Sequence, residues 1–458
     1  MNRRSFIRSL GTGLAAGAAG GFGHGAMPPR ASARRTTSLP NFVFLISDDQ
    51  SYPDAGCYGN KALRTPNIDR LAQEGIRFDR AFAASPSCSP SRSGILTGQP
   101  AHSTGTARFH SPMPRMQETI LEYLKPAGYY TAAFGKVHQG AEFWKRWDCP
   151  GRLDPVETFF DRRPKNRPFF LHVGYHEPHR PFRNGTSPPV KTSDVSVPPF
   201  LPATSAVRAD LASYAQAIER LDSEIGKFVD LLKQHHLDEN TLVILTSDQG
   251  MAFPGAKGTL YDPGLHVPLI ARWPGRIKPG RTSSDLISLL DLAPTWLDAA
   301  GISAPQTMNG RSFLGLLDGA LYGARDAVFA ERNYHTTLDL SRSVRTAGYK
   351  LIQNYLPENS YQPLSDISRS PSWHSIVTFK REWRLSGVLE RHYFARPRPV
   401  VELYDLEKDP WELTNLAGHS NYAETVRKLQ AKLSRWMVDT YDFLPPPLGP
   451  LSLDLLVE

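Results

Sequence analysis

Four apolar runs in this chain each stop at polar, chemistry-bearing residues, and that repetition constrains the fold more than any other feature. Asn41-Phe42-Val43-Phe44-Leu45-Ile46 ends in Ser47-Asp48-Asp49-Gln50, and Tyr130-Thr131-Ala132-Ala133-Phe134 ends in Gly135-Lys136-Val137-His138. Phe169-Phe170-Leu171-His172-Val173-Gly174-Tyr175 leads into His176-Glu177-Pro178-His179-Arg180, and Thr241-Leu242-Val243-Ile244-Leu245-Thr246 ends in Ser247-Asp248-Gln249-Gly250. Short, near-continuous apolar runs read as parallel strands buried on both faces. Helices read between them. Thr65-Pro66 opens one with a capping hydroxyl and a proline at its first position, and residues 116–124 read as another. The segment 208–235 repeats Leu211, Tyr214, Ile218, Leu221, Ile225, Phe228 and Leu232 three or four residues apart, which is core packing on one helix face. A strand over 267–274 and a helix over 286–300 follow. The expectation is an α/β fold: a mostly parallel sheet flanked by helices on both faces, with one site at its carboxyl edge.

From about Val344 the texture changes. Residues 349–353 and 400–405 read as strands with one wet face. The segment 422–441 reads as a helix with Val426, Leu429, Leu433 and Trp436 on one side. A smaller antiparallel sheet with a packed helix is expected there. Residues 183–206, rich in Pro, Ser and Thr, read as a surface loop, and a Pro-rich tail follows Phe443. The N-terminus, Arg3-Arg4-Ser5-Phe6-Ile7 followed by a Gly/Ala-rich apolar stretch, reads as a twin-arginine-type export signal too short to span a bilayer stably. The expected layout is therefore a signal and linker over 1–33, a catalytic α/β domain over 38–343 and a smaller C-terminal α+β subdomain over 344–458. The mature protein is expected to be periplasmic or secreted, with the export machinery as a partner and no stable membrane span.

The formal charge of +8 is compatible with an anionic substrate but carries little weight, since part of it lies near the N-terminus. The basic and aromatic pattern of nucleic-acid modules is absent. Three cysteines, Cys57, Cys88 and Cys149, make no disulfide framework. Cys88 stands in Ser87-Cys88-Ser89-Pro90-Ser91-Arg92-Ser93-Gly94-Ile95-Leu96-Thr97-Gly98. Pro90 suits the first turn of a helix, which puts Cys88 at a helix N-terminus, where an anion is favoured. Arg92 adds a planar fork of donors for an oxyanion.

The whole string resembles the signature of the formylglycine-dependent sulfatases, in the alkaline-phosphatase-like superfamily. That resemblance implies that Cys88 is oxidised by a maturation enzyme to Cα-formylglycine, whose hydrate is the nucleophile. It implies an alkaline-phosphatase-like large domain and one Ca²⁺ held by Asp48, Asp49, Asp248 and Gln249 with the side chain at position 88. An all-oxygen donor set suits that hard cation better than Zn²⁺. Gln249 departs from the Asn or His that many members carry. The resemblance also implies that Arg92 holds the hydrated aldehyde and that Lys136 and Lys257 neutralise sulfate charge. His138 would accept a proton, and His179 would bind sulfate or protonate the leaving group.

Within the family the chain is most similar to the sulfamidase branch, the N-sulfoglucosamine sulfohydrolases of heparan sulfate. Ser-Cys-Ser-Pro-Ser-Arg, His-Glu-Pro-His-Arg, Val207–Ala212, Phe253-Pro254, Leu289–Thr295 and Glu402–Asp405 carry that likeness, although sulfamidases have Arg where Lys257 stands and Asn where Gln249 stands. The implied reaction removes sulfate from a glycosaminoglycan-like sugar, with N-sulfoglucosamine favoured and an O-sulfated saccharide or small sulfate ester as the alternative. His102, His110 and His335 are candidates for sugar contacts, and His172 and His176 read as structural. Phosphoester or phosphonate hydrolysis, and a non-catalytic sugar-binding role, are the competing classes. The first typically uses Ser or Thr with two metals, and the second predicts a broken core motif. A homodimer is left open.

Overall fold

The computed structural model describes residues 39–183, 189–320 and 322–443, all within one unit spanning Leu39–Glu458. The stretch read as an export signal and the tail after Phe443 lie outside the described residues. The large sheet comprises β1 (Asn41–Ser47), β2 (Ile76–Phe82), β3 (Tyr130–Gly135), β4 (Cys149–Gly151), β5 (Phe169–Gly174), β6 (Thr241–Ser247), β7 (His266–Arg272), β8 (Arg281–Ser283) and β9 (Ile287–Ser288). Their order is β4-β3-β5-β1-β6-β7-β2-β8, with β9 beside β2. β1 runs parallel to both β5 and β6, with Phe42 opposite Phe170 on one side and Leu242 on the other. β7 alone is antiparallel to its neighbours β6 and β2.

Strand alternation splits the core into two layers. Phe42, Phe44 and Ile46 face Leu292, Trp296 and Leu297 on one side of the sheet. The Phe44 and Trp296 rings meet edge to face at 4.9 Å. Val43 and Leu45 face Ile68, Leu71, Leu221, Ile225 and Phe228 on the other. Every residue of β5 and β6 is buried, as expected of strands covered on both faces. The long helix Ser205–Gln234 starts at Thr204, whose side chain accepts from the Val207 N–H. Asp222 on that helix accepts from the N–H groups of Asn67 and Ile68, so it satisfies the exposed donors at the start of helix Pro66–Glu74.

The helix expected over 116–124 begins only at Ile120, and further expectations change. β2 is a strand next to the edge of the large sheet that the sequence hides, because Arg77, Asp79 and Arg80 interrupt its apolar pattern. The segment 286–300 is not one helix: β9 and a tight turn precede helix Leu292–Ala299. The Pro-rich stretch before Ser205 is not merely surface, since Val195, Phe200 and Leu201 are buried in a cluster with Leu211 and Tyr214.

The second sheet is antiparallel throughout, in the order β10 (Val328–Tyr334), β11 (Leu338–Arg345), β12 (Tyr349–Asn354), β13 (Val401–Asp405). It therefore begins at Val328, and the texture change expected near Val344 falls inside β11. Helix Ala423–Asp439 packs Leu429 and Leu433 onto Val344, Leu351 and Leu403. Among the described residues, no helix is long and apolar enough to cross a membrane.

Candidate active site

The carboxyl ends of β1, β3, β5 and β6 converge on one point. Asp48 and Asp49 follow β1, Lys136 and His138 follow β3, His176 and His179 follow β5, and Asp248 and Gln249 follow β6. The β3 and β5 ends approach so closely that both need glycine. A Cβ on Gly135 would lie 2.1 Å from the Gly174 carbonyl oxygen, and one on Gly174 would lie 2.0 Å from that of Lys136. Asp49 and His138 adopt positive φ, +72° and +66°. Such backbone is uncommon for non-glycine residues and is held here by the surrounding structure.

Cys88 opens helix Cys88–Thr97, every residue of which is buried, with Ser87 at its N-cap. Its Sγ lies 3.7 Å from Asp48 Oδ1, and Gln249 Nε2 approaches it at 3.0 Å. Arg92 lies one turn further along the helix. Its Nε donates to Asp248 Oδ2 at 2.7 Å, and its Nη1 and Nη2 donate to the carbonyls of Lys136 and Ser47. Lys136 Nζ reaches Asp48 Oδ2 at 2.5 Å, and Lys257 Nζ reaches Asp49 Oδ2 at 2.8 Å. Asp48, Asp49, Cys88, Asp248 and Gln249 are fully buried.

Burial would push the Asp48 carboxyl up, but Lys136 and Arg92 outweigh it and hold Asp48 well below the usual carboxylate range. For Asp248 burial wins over Arg92, and with Asp48 nearby the carboxyl rises to about 6. Burial works against the charge on Lys257, yet Asp49 raises it well above its ordinary value. The Cys88 thiol is pushed up to about 12 by burial in spite of Lys136 and Lys257, so at neutral pH it is protonated and a poor nucleophile. Burial and Lys136 bring His138 down to about 2, so its imidazole is neutral.

One oxygen each from Asp48, Asp49 and Asp248 lie within 4.8 Å of one another. Gln249 Nε2 donates to Asp49 Oδ1, and its Oε1 is buried without a hydrogen-bond partner. Turning that amide over would add its oxygen to the three buried carboxylates, and such an all-oxygen set favours a hard cation. The residues present therefore fit the metal that the sequence implies.

The sulfatase family model matches residues 40–147 and 152–302, and the model for the C-terminal part of N-sulphoglucosamine sulphohydrolase matches residues 256–391. The chain belongs to the sulfatase family. An ulvan-active sulfatase of Formosa agariphila is 32% identical over 88% of this chain and 81% of its own length. Human N-sulphoglucosamine sulphohydrolase is 31% identical over 88% of the chain and 90% of its own length. A solved structure in complex with its substrate D-glucosamine-2-N,6-O-disulfate superposes with a TM-score of 0.69, at 22% identity over 90% of this chain and all of that one. The phosphonate monoester hydrolase of Agrobacterium radiobacter superposes with 0.68, at 20% identity over 88% of this chain and 96% of that one. At those identities the two structures speak for the shared fold alone. This sulfatase is thus a hydrolase of the sulfate-cleaving kind.

The outer rim sorts the remaining histidines. His110 Nδ1 lies 3.1 Å from His138 Nε2, and the His335 ring stacks on Phe109 at 3.7 Å. Burial and the Lys257 charge take His335 down to about 3, and its stacking on Phe109, whose ring also meets His110 and His138, puts both rim histidines beside the site. His102 does not. Its Nδ1 binds Glu331 Oε2 at 3.0 Å and its Nε2 binds Thr440 Oγ1 at 3.1 Å, so it ties the C-terminal segment to the body of the protein and offers nothing to a sugar. His172 is buried against the edge of Phe44.

The sequence reading missed Asp366. Its Oδ2 lies 2.6 Å from Lys257 Nζ and 3.6 Å from His179 Nε2, and its Oδ1 is buried without a partner. The only local signal was an aspartate between Leu364 and Ile367 in a stretch with no regular element.

Proposed function

We propose that the mature enzyme removes the sulfate of an N-sulfated glucosamine, using the side chain at position 88 as nucleophile. The observation that carries this reading is the convergence of Cys88 with Asp48, Asp49, Asp248, Lys136, Lys257 and His179 at one buried point. The thiol as it stands is protonated and unsuited to attack, which favours the formylglycine that a maturation enzyme makes from such a cysteine; its hydrate supplies the attacking oxygen. Asp48, Asp49, Asp248 and Gln249 Oε1 would hold Ca²⁺, which supplies Lewis-acid polarisation of the sulfate oxygens. Arg92, fixed by Asp248 and two carbonyls, orients the hydrate. Lys136 and Lys257 offset charge on the sulfate oxygens in the transition state, where buried, prearranged cations act most strongly. His138 takes up a proton, and His179, on the Asp366 side of the pocket, delivers one to the leaving atom.

The N-sulfoglucosamine assignment is supported by the C-terminal family match and by the human relative. An O-sulfated polysaccharide is the second reading, supported by the equally similar ulvan-active relative. The paired arginines near the N-terminus support export by the twin-arginine route to the periplasm or beyond. Assay of matured protein on N-sulfoglucosamine, on an O-sulfated sugar and on a phosphate ester tests the two substrate readings and the competing phosphoester class. Release of sulfate from the first at the highest kcat/KM is the expected outcome. Phosphate release exceeding sulfate release would overturn the reading.

A further inference from the structure

Asp366 sits between the sulfate-facing cations and open space. On its inner side its Oδ2 touches Lys257 Nζ. On its outer side the residue lines a cleft of about 610 Å³ with Arg180, Phe182 and Arg369, a volume within the range of ligand clefts. Its placement is fixed. Leu364 and Ile367 flank it and are buried on Ala252, and the Ser365 N–H donates to Thr336 Oγ1 on the β10–β11 hairpin. Gly258, next to Lys257, has φ +80°, and a Cβ there would meet Leu364 Cδ1 at 2.8 Å, so the two loops press directly together. Burial would raise the Asp366 carboxyl, but Lys257 lowers it below its ordinary value, and it stays ionised.

We propose that Asp366 is the residue by which this enzyme selects a sulfamate nitrogen over an ester oxygen. The proposal rests on the sulfamate reading above and names the group that enforces it. A carboxylate only accepts hydrogen bonds. The bridging nitrogen of a sulfamate carries an N–H to donate, whereas the bridging oxygen of a sulfate ester carries none. The products differ in the same sense. A sulfamate anion and water give an alkylammonium cation and sulfate dianion: the S–N bond breaks, its electron pair stays on nitrogen, and both protons of water end on that nitrogen. A sulfate ester gives a neutral alcohol. Oδ1, which has no hydrogen-bond partner within the protein, is the acceptor for the N–H and then for the ammonium, while Oδ2 keeps Lys257. A charge-assisted hydrogen bond of this kind discriminates by roughly 10- to 100-fold.

The test compares N-sulfoglucosamine with glucose 2-O-sulfate, which differ only in N–H against O at the scissile position. Matured wild type should prefer the sulfamate, and Asp366→Asn should lower kcat/KM on both but shrink the preference by roughly 10- to 100-fold. A preference unchanged in Asp366→Asn would overturn the proposal and reduce Asp366 to a partner of Lys257. Wild type that cleaves the ester but not the sulfamate would instead overturn the sulfamate reading, and this proposal with it. If Asp366→Asn does not fold, calorimetry on wild type decides. Glucosamine should bind at least roughly tenfold tighter than glucose, and equal affinities would overturn the assignment.

Discussion

Gln249 carries the buried oxygen that lacks a donor, at the position where the sequence departs from its family's usual choice. If that oxygen is a metal ligand, Gln249→Leu removes it while keeping similar bulk. The expected outcome is a loss of Ca²⁺ affinity of roughly 10- to 100-fold, the range seen when support for a bound metal is removed. The measurement is the calcium-dependent rise in melting temperature, which follows binding by mass action and needs no turnover. An unchanged calcium response would remove Gln249 from the metal set. At this scale Asp48, Lys136 and Asp248 stand where apolar runs end, but the family resemblance, rather than the runs, gave them and His179 their roles. Asp366 could not be picked out. It lies in a loop without periodicity, and only the docking of Leu364 against Gly258 and Ala252 brings it to Lys257. His102 misled for the opposite reason, since a histidine in sequence does not reveal that Glu331 will claim it.

Helix Leu292–Ala299 shows how an element without chemistry keeps the site in place. Trp296 is fully buried and meets both Phe44 of β1 and Phe170 of β5, the two strands whose ends carry Asp48, Asp49 and His179. Trp296→Ala should cost about 3–5 kcal/mol by lost burial and cavity formation, read as a shift in the denaturation midpoint. Trp296→Phe should recover most of it, because the indole N–H has no partner to lose. A cost below about 1 kcal/mol would mean that the layer repacks. Elements of this kind were legible: β1, β5 and β6 announce themselves as unbroken apolar runs, and Ser205–Gln234 as a periodic stripe. β2 was not, because its charged residues break the pattern while its pairing with β7, β8 and β9 supplies the hydrogen bonds. Nor does a run of apolar residues encode strand direction, which is why the antiparallel β7 is visible only in the sheet.

Across the whole molecule, a buried charge network fastens the C-terminal segment to the rest. His102 binds Glu331, and Arg342 binds Asp442 at 2.5 Å through Nε and 2.9 Å through Nη2. Burial opposes the charge on His102, but Glu331 outweighs it and raises the histidine above 6.5. Burial likewise raises Glu331, but His102 and Arg342 bring it down to about 2. The His102 contribution is fully present below an unfolded pKa of about 6.5 and fades as pH rises through the raised folded value. The Glu331 contribution is present above about 4.5 and is lost as pH falls towards 2. Stability from this pair therefore peaks between roughly pH 4.5 and 6.5. His102→Gln should cost about 1–3 kcal/mol there and flatten the fall in melting temperature from pH 6 to 9. A parallel, merely shifted profile would contradict the assignment. The same second sheet anchors the loop that delivers Asp366 to the catalytic edge, an arrangement between distant parts of the chain that no local pattern encodes. Position 88 is proposed to be converted to formylglycine before the enzyme works, since burial pushes its thiol up and keeps it protonated. Peptide mass across Ser87–Gly98, measured on catalytically active protein from a host that matures it, tests this most directly. The account predicts the mass of the aldehyde, together with capture by an aldehyde-reactive hydroxylamine. An unmodified thiol in fully active protein would contradict it.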